Sequence, residues 1–438
     1  MNTTQNFGGM SHTLEGRFRA MVVDANTGEV VLEQPEFTKN LILNNGMDGI
    51  ASRTYANSFL YAMGGVGTRP NSIVGATAQV SQSYYGLTLY PDGTFTGFTD
   101  PYLAYYPQNL ELGDVIVFDS VPPGTTDHVQ VTTAITALTA TCSLSQSIPP
   151  TTFTVWKTSQ TSLESEVSRS TSYLTGTGNC GSSILSDTLT LRRTYDFPTE
   201  TSARNYTEIG VGWSGTRLAP NTTFSRLRLP VVIPVGISQL LRVVFQLQVK
   251  LAPTSSVSRP NVVINGVGGA ANWPIAPATN TNGSESMQAI WSNPTQDGYA
   301  YGTIQNIYNT GQSSGFYSLE PSGDGQFCYF WLSEDSQTLR PFNTAVSRGN
   351  WNTQTTKNAY VNGTYTVRKT GVFSIAQANS LKLRSMGIGQ GSVNPNNYDP
   401  GSADYQGFTF LFEQSQSKYS SQTLTLAYSW TWDRSFVE

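Results

Sequence analysis

Charge is what this chain has least of. Of its 438 residues only 12% are Asp, Glu, Lys or Arg, against about 25% in an ordinary globular protein. The 25 basic and 29 acidic residues leave a formal net charge of −4, which supplies no basic field for nucleic acid. Cysteine is scarce too, with only Cys142, Cys180 and Cys328. An odd, widely spread set is no disulfide framework. A Cys142–Cys180 bridge stays open, and three buried thiols are the favoured expectation. No apolar run approaches the ~20 residues of a membrane helix, so no membrane is expected as a partner. The opening MNTTQNFGGMSHTLEGRF has no basic n-region and no apolar core, so no signal peptide is expected. The sequons at Asn205, Asn221, Asn282 and Asn362 then read as chance in an Asn/Thr-rich chain.

Catalytic spacing is missing as well. The two histidines, His12 and His128, have no partner at metal-ligand spacing, and a structural role is the expected one. Gly311-Gln-Ser313-Ser-Gly315 spells G-x-S-x-G, but its flanks read as loop and no histidine follows residue 128, so a nucleophile elbow is rejected. Zinc, redox, P-loop and dinucleotide motifs are absent. Asp399 and Asp404 in NPNNYDPGSAD lack calcium-loop spacing. No cofactor is expected.

What the chain does have is alternation, densest from Thr188 to Val249. Leu189, Leu191, Tyr195 and Phe197 share one face, as do Ile209, Val211 and Trp213. Leu227, Leu229, Val231, Ile233 and Val235 share a third, and Leu241, Val243, Phe245, Leu247 and Val249 a fourth. Period-two spacing marks strands with one buried face. Pro234 and Gly236 punctuate a tight link between the last two, and four such strands predict an antiparallel sheet. Its other face would carry Arg192, Arg226, Arg228, Arg242, Gln246, Gln248 and Lys250. That face would meet either solvent or another subunit.

Upstream, residues 12–33 predict a hairpin. Leu14, Phe18, Ala20 and Val22 lie on one face, Asp24–Gly28 form the turn, and Val30 and Leu32 resume the pattern. Asn40 is the expected N-cap of a short helix through Leu41, Ile42, Met47 and Ile50. Gly46 and Gly49 would each cost it about 1 kcal/mol. The segment TLTLAYSWTW at 423–432 repeats TLTLRRTYDF at 188–197, so the two strands are expected to be paired or equivalent. The fold class is all-β, with antiparallel β-sandwich domains, one short N-terminal helix and long polar loops. The expected divisions are 1–74 (hairpin and helix), 75–185 (inserted small β-domain) and 186–252 (central sheet). A Pro/Gly/Asn-rich arm at 253–285 and a C-terminal β-domain at 286–438 follow.

Several blocks, in order, carry a resemblance. They are TGEVVLEQPEFTKNLILNNGMDGIA, YAMGGVGTRP, RTYDFP, NYTEIGVGWS, FSRLRLP and LLRVVFQLQV. Over roughly 14–70 and 188–252 the chain resembles virion proteins of tailed bacteriophages, of the tail, tail-surface or sheath-like and fibre-attachment class. Residues 75–185 and 255–410 have no counterpart in it. The resemblance implies a non-enzymatic, homo-oligomeric structural subunit located in the virion tail. Its partners would be copies of itself and other tail or neck proteins.

The alternative is a tail protein that binds a host-surface receptor or glycan. Its candidate contacts are Trp291, Tyr299, Tyr301, Tyr308, Phe316 and Tyr317 among Asn and Gln, since aromatic rings give large area at low entropy cost. The plainer reading of these rings, as sandwich core, is favoured. A glycan-degrading tailspike using two of Asp297, Glu320, Asp324, Glu334 and Asp335 is the least favoured reading.

Overall fold

The computed structural model describes residues 8–52, 60–81, 86–89, 111–123, 127–131, 139–141, 148–174, 178–185, 188–250, 261–266, 328–333, 345–348, 356–358, 363, 365–377, 379–390 and 406–436. In chain order, β1 (Gly8–Asp24), β2 (Val30–Glu33) and β3 (Thr38–Ile42) precede helix α1 (Asn44–Ser52) and β4 (Tyr61–Gly65). Next come β5 (Ser72–Ser81), β6 (Gly86–Leu89), β7 (Val115–Phe118), β8 (His128–Gln130), β9 (Thr139–Thr141) and β10 (Ile148–Trp156). They are followed by β11 (Glu166–Arg169), β12 (Cys180–Leu185), β13 (Thr188–Asp196), β14 (Arg204–Gly212), β15 (Thr223–Val235) and β16 (Gln239–Lys250). The C-terminal strands are β17 (Asn261–Gly266), β18 (Cys328–Ser333), β19 (Ala345–Arg348), β20 (Thr356–Asn358), β21 (Thr366–Phe373), β22 (Ser380–Gln390), β23 (Gln406–Lys418) and β24 (Gln422–Arg434).

The chain is all-β, built on antiparallel sheets, with one short helix among the described residues. The largest sheet runs β11-β4-β14-β15-β3-β1-β16-β13-β12, with β2 and β24 also on β1. β5 to β10 form a separate six-stranded sheet, and β18, β19, β22 and β23 a four-stranded one. β11 and β12, which the sequence reading placed with the inserted segment, pair with β4 and β13 of the large sheet.

β1 organises the body. β16 lies along one edge, from Thr13↔Lys250 to Asp24↔Gln239. The other edge is shared by β24, in parallel along Gly8–Leu14, then by β3 at Gly16–Phe18 and β2 at Met21–Val23. β3 also pairs with β15 through Leu41 and Ile42, so it joins two limbs of the sheet. The predicted faces of β1 and β16 are the core: Leu14, Phe18, Ala20 and Val22, with Leu241, Val243, Phe245, Leu247 and Val249, are all buried. Each contributes roughly 1.5–3 kcal/mol of apolar burial, less for Ala. The rings of Phe18 and Phe245 lie 5.1 Å apart, and Phe224 of β15 reaches Phe245 at 6.3 Å.

Five expectations need correction. First, β15 and β16 are not neighbours, since β3 and β1 stand between them in the sheet. Both edges of β16 are already taken, by β1 and β13, so residues 236–238 link two limbs instead of closing a hairpin. Second, Asn40 is not a helix cap. It sits in β3, where its side chain donates to Ser225 Oγ at 2.8 Å, and the helix begins at Asn44. Gly46, counted as a cost, lets that helix approach, because a Cβ there would stand 2.3 Å from the Phe224 carbonyl. Third, Val231 is 69% exposed while Leu227, Leu229, Ile233 and Val235 are buried. Between Arg228 and Ile233, β15 takes five steps where β14 takes two. Pro230 lies in this bulge, where a residue without an N–H breaks no ladder. Fourth, Val30 and Leu32 are exposed, as is all of β2. Fifth, β13 and β24 are not paired. They run in the same direction on opposite sides of the β1–β16 pair.

Candidate functional site

The alternating pattern hides a second kind of interior. Glu208 of β14 and Arg226 of β15 are both 0% exposed, with Arg226 Nη2 3.0 Å from Glu208 Oε2. Arg226 also donates to Gln160 Oε1 and to the Arg69 carbonyl. Glu208 accepts from the backbone N–H of Ser165 at 2.7 Å, Glu164 at 3.1 Å and Gly67 at 3.2 Å. One ion pair thus fastens the 64–69 and 160–165 loops onto the sheet. The glycines of YAMGGVG make room for it: a Cβ at Gly65 or Gly67 would stand 2.4 or 2.5 Å from Glu208 Oε1. Burial holds the Arg226 guanidinium below its ordinary range even with Glu208 beside it. Arg226 had been placed on an outer polar face, and the loops that cover it are why it is not there. Of the other residues of that face, Arg228 and Lys250 are exposed, and Arg192, Arg242, Gln246 and Gln248 are half-buried.

A second cluster sits where the six-stranded sheet leaves and rejoins the body. Lys157, just after β10, bonds Asp114 Oδ2 and lies 3.4 Å from Glu111 Oε2. Ser159 Oγ donates to Asp114 Oδ1 at 2.6 Å and to Glu111 Oε2 at 2.8 Å. Arg69, just before β5, holds Glu111 Oε1 at 2.7 Å. Burial raises the Asp114 carboxyl, and Lys157 only partly offsets it. Burial also raises Glu111, but Lys157, the Ser159 hydroxyl and Arg69 outweigh it and leave that carboxyl below its ordinary value. Each carboxylate in the two clusters is engaged by a cation or a backbone N–H. Such an arrangement fixes chain segments.

The third feature is a set of exposed apolar side chains. Val30, Val31 and Leu32 of β2, Val231 and Val232 of the bulge, and Ile237 of the link are 39–69% exposed. Ala25 N donates to the Ser238 carbonyl at 2.9 Å and ties the turn before β2 to the link. β2 pairs only with β1 among the described residues, so it is an edge strand with apolar side chains, flanked by Glu29 and Glu33.

The residues singled out from sequence fare unevenly. Trp291, Tyr299, Tyr301, Tyr308, Phe316 and Tyr317 lie outside the described residues, as do Asp297, Glu320, Asp324, Glu334, Asp335, Asp399, Asp404 and the Gly311–Gly315 segment. His128 Nδ1 lies 2.8 Å from Oδ1 of the adjacent Asp127. His12 lies opposite Trp432 in the β1–β24 ladder. Cys180 is half-buried where a buried thiol was expected, and Cys142, the other end of the bridge left open, lies outside the described residues. Among the described residues no three His, Cys, Asp or Glu gather as a metal site, and no helix is long and apolar enough to cross a membrane. Sequence reasoning missed Glu208, Arg226, Asp114 and Lys157. The signal that could have found the first pair was the cluster of Gly64, Gly65 and Gly67, since at Gly65 and Gly67 only glycine leaves room for the Glu208 side chain. Comparison of the chain with protein-family models, curated proteins and solved structures finds no match.

Proposed function

We propose that the chain is a non-enzymatic structural subunit of a tailed phage particle, assembling as a symmetric oligomer in or around the tail. The observation that carries this reading is how the resembling blocks fold. Residues 14–70 supply β2, β3, β4 and most of β1, and residues 188–252 supply β13 to β16, and these strands interleave as β4-β14-β15-β3-β1-β16-β13. Two blocks far apart in sequence therefore make one body, and the six-stranded sheet leaves it as an excursion. The exposed apolar side chains of β2 and its edge, unpaired among the described residues, support self-association, since open apolar edges mark interaction surfaces. A closed ring of copies would cover them.

The test is the mass of the purified chain by light scattering across a concentration series, followed by negative-stain microscopy. Rings, trimers or concentration-dependent tubes support the assembly subunit. A chain that stays monomeric throughout and binds host-surface glycans instead moves the reading to a receptor-binding tail module.

A further inference from the structure

We propose that Arg434–Phe436 is a strap that couples the C-terminal strands to the six-stranded sheet through Asn44, so that the two open as one unit. The strap continues β24 past its pairing with β1, and Ser435 N donates to the Leu14 carbonyl at 2.9 Å. The Arg434 guanidinium is buried and donates to the Ile42 carbonyl at 2.8 Å and to Asn44 Oδ1 at 2.6 Å. Tyr365 donates its hydroxyl to the same oxygen at 3.0 Å. The other side of Asn44 faces the six-stranded sheet. Its Nδ2 donates to the Gly113 carbonyl at 2.7 Å, and its backbone N–H donates to the Thr158 carbonyl at 2.9 Å. One amide at the start of α1 therefore holds three parts of the chain.

Phe436 adds the apolar half of the contact. Its ring lies 5.8 Å from Trp156 and 5.7 Å from His128, and it packs on the cluster of Leu41, Leu43 and Trp156. Arg434 lies over this ring at 5.4 Å and over Tyr365 at 5.5 Å. The chemistry makes the strap a weak closure. The hydrogen bonds of Arg434 go to neutral oxygens, so its desolvation is repaid less fully than that of Arg226, which meets a carboxylate. Burial accordingly holds its guanidinium below the ordinary range. A segment held this way opens before the apolar ladder of β1 and β16 does.

Native-state hydrogen exchange on the whole chain tests the coupling. Amides of residues 115–118, 153–156 and 430–434 should share one opening equilibrium, weaker than that of β13 and β16. Phe436→Ala should speed exchange in all three segments together by roughly tenfold, the effect of losing two ring contacts, and leave β13 and β16 unchanged. Acceleration of 430–434 alone overturns the proposal, and so does equal acceleration of every strand. If the variant does not fold, unequal opening equilibria in the unaltered chain overturn it by themselves.

Discussion

The limb made of β1, β16 and β13 buries one face along most of its length, with Met21, Val23, Thr194 and Val244 buried on the other, whereas β14 and β15 of the second limb bury both faces throughout 208–212 and 223–227. In the first, Leu241, Val243, Phe245, Leu247 and Val249 are core while Arg242, Gln246 and Gln248 stay half-exposed. In the second, Thr223, Phe224, Ser225, Arg226 and Leu227 are all buried in succession. The backbone pairing is alike in both. The difference is what lies over the second face: the loops around Gly67, Gln160 and Ser165 cover β14 and β15. A strand's own alternation sets which side chains face together, but distant loops decide whether the other side sees water. Where they exclude it, a charge survives only when paired and fully hydrogen-bonded. Among the described residues of this charge-poor chain, ten charged ones are buried: Asp114, Lys157, Glu166, Arg169, Arg193, Glu200, Glu208, Arg226, Lys418 and Arg434.

The comparison can be broken by substitution. Arg226→Met leaves Glu208 buried without its cation and should cost about 3–5 kcal/mol in denaturant unfolding. A cost near zero would mean that water reaches β14 and β15 after all. Leu247→Ala, in the one-faced limb, should cost about 3 kcal/mol through lost burial and a cavity. Arg242→Ala removes the Asp196 partner on the half-exposed face, where the pair's distance is 2.6 Å, and should cost about 1 kcal/mol or less. Equal losses from Arg226→Met and Arg242→Ala would erase the distinction between the limbs.

The smallest effect is a pH dependence at the base of the six-stranded sheet. Glu111 lies below the ordinary value of 4.5, so its contribution is complete above that pH and fades as pH falls through the lowered value. Glu111→Gln removes that contribution at neutral pH. Melting temperatures of the unaltered chain and the variant should therefore differ at neutral pH and converge under acid. Asp114, raised by burial, has the opposite sign but is common to both proteins and drops out of the difference. A gap that widens with acid would show that Glu111 is not held by its cations.

The sequence made the one-faced limb readable, strand by strand, because period two records a single dry face. Four strands from Thr188 to Lys250, the Asp24–Gly28 turn and the existence of a short helix, though started four residues early at Asn40, follow from local pattern. Pairing did not. The sequence pattern does not indicate that β16 is flanked by β1 and β13, because partner choice depends on which edges remain open. Val231 was misplaced because a bulge shifts phase without changing the residue pattern. Arg226 was read as an outer residue and Glu208 was passed over, because their cover comes from loops more than forty residues away. The six aromatics offered as receptor contacts remain a matter for sequence alone.

The parallel pairing of Gly8–Leu14 with Tyr428–Arg434 has a consequence for biosynthesis. The start of β1 finds its β24 neighbour only when a strand about 420 residues further along the chain emerges. At ribosomal rates of about 5–20 residues per second, the first seven residues of β1 wait roughly 20–80 s with an edge unfilled. Chains cut short before β24 never fill it, and would leave the ribosome with that edge of β1 open to other chains.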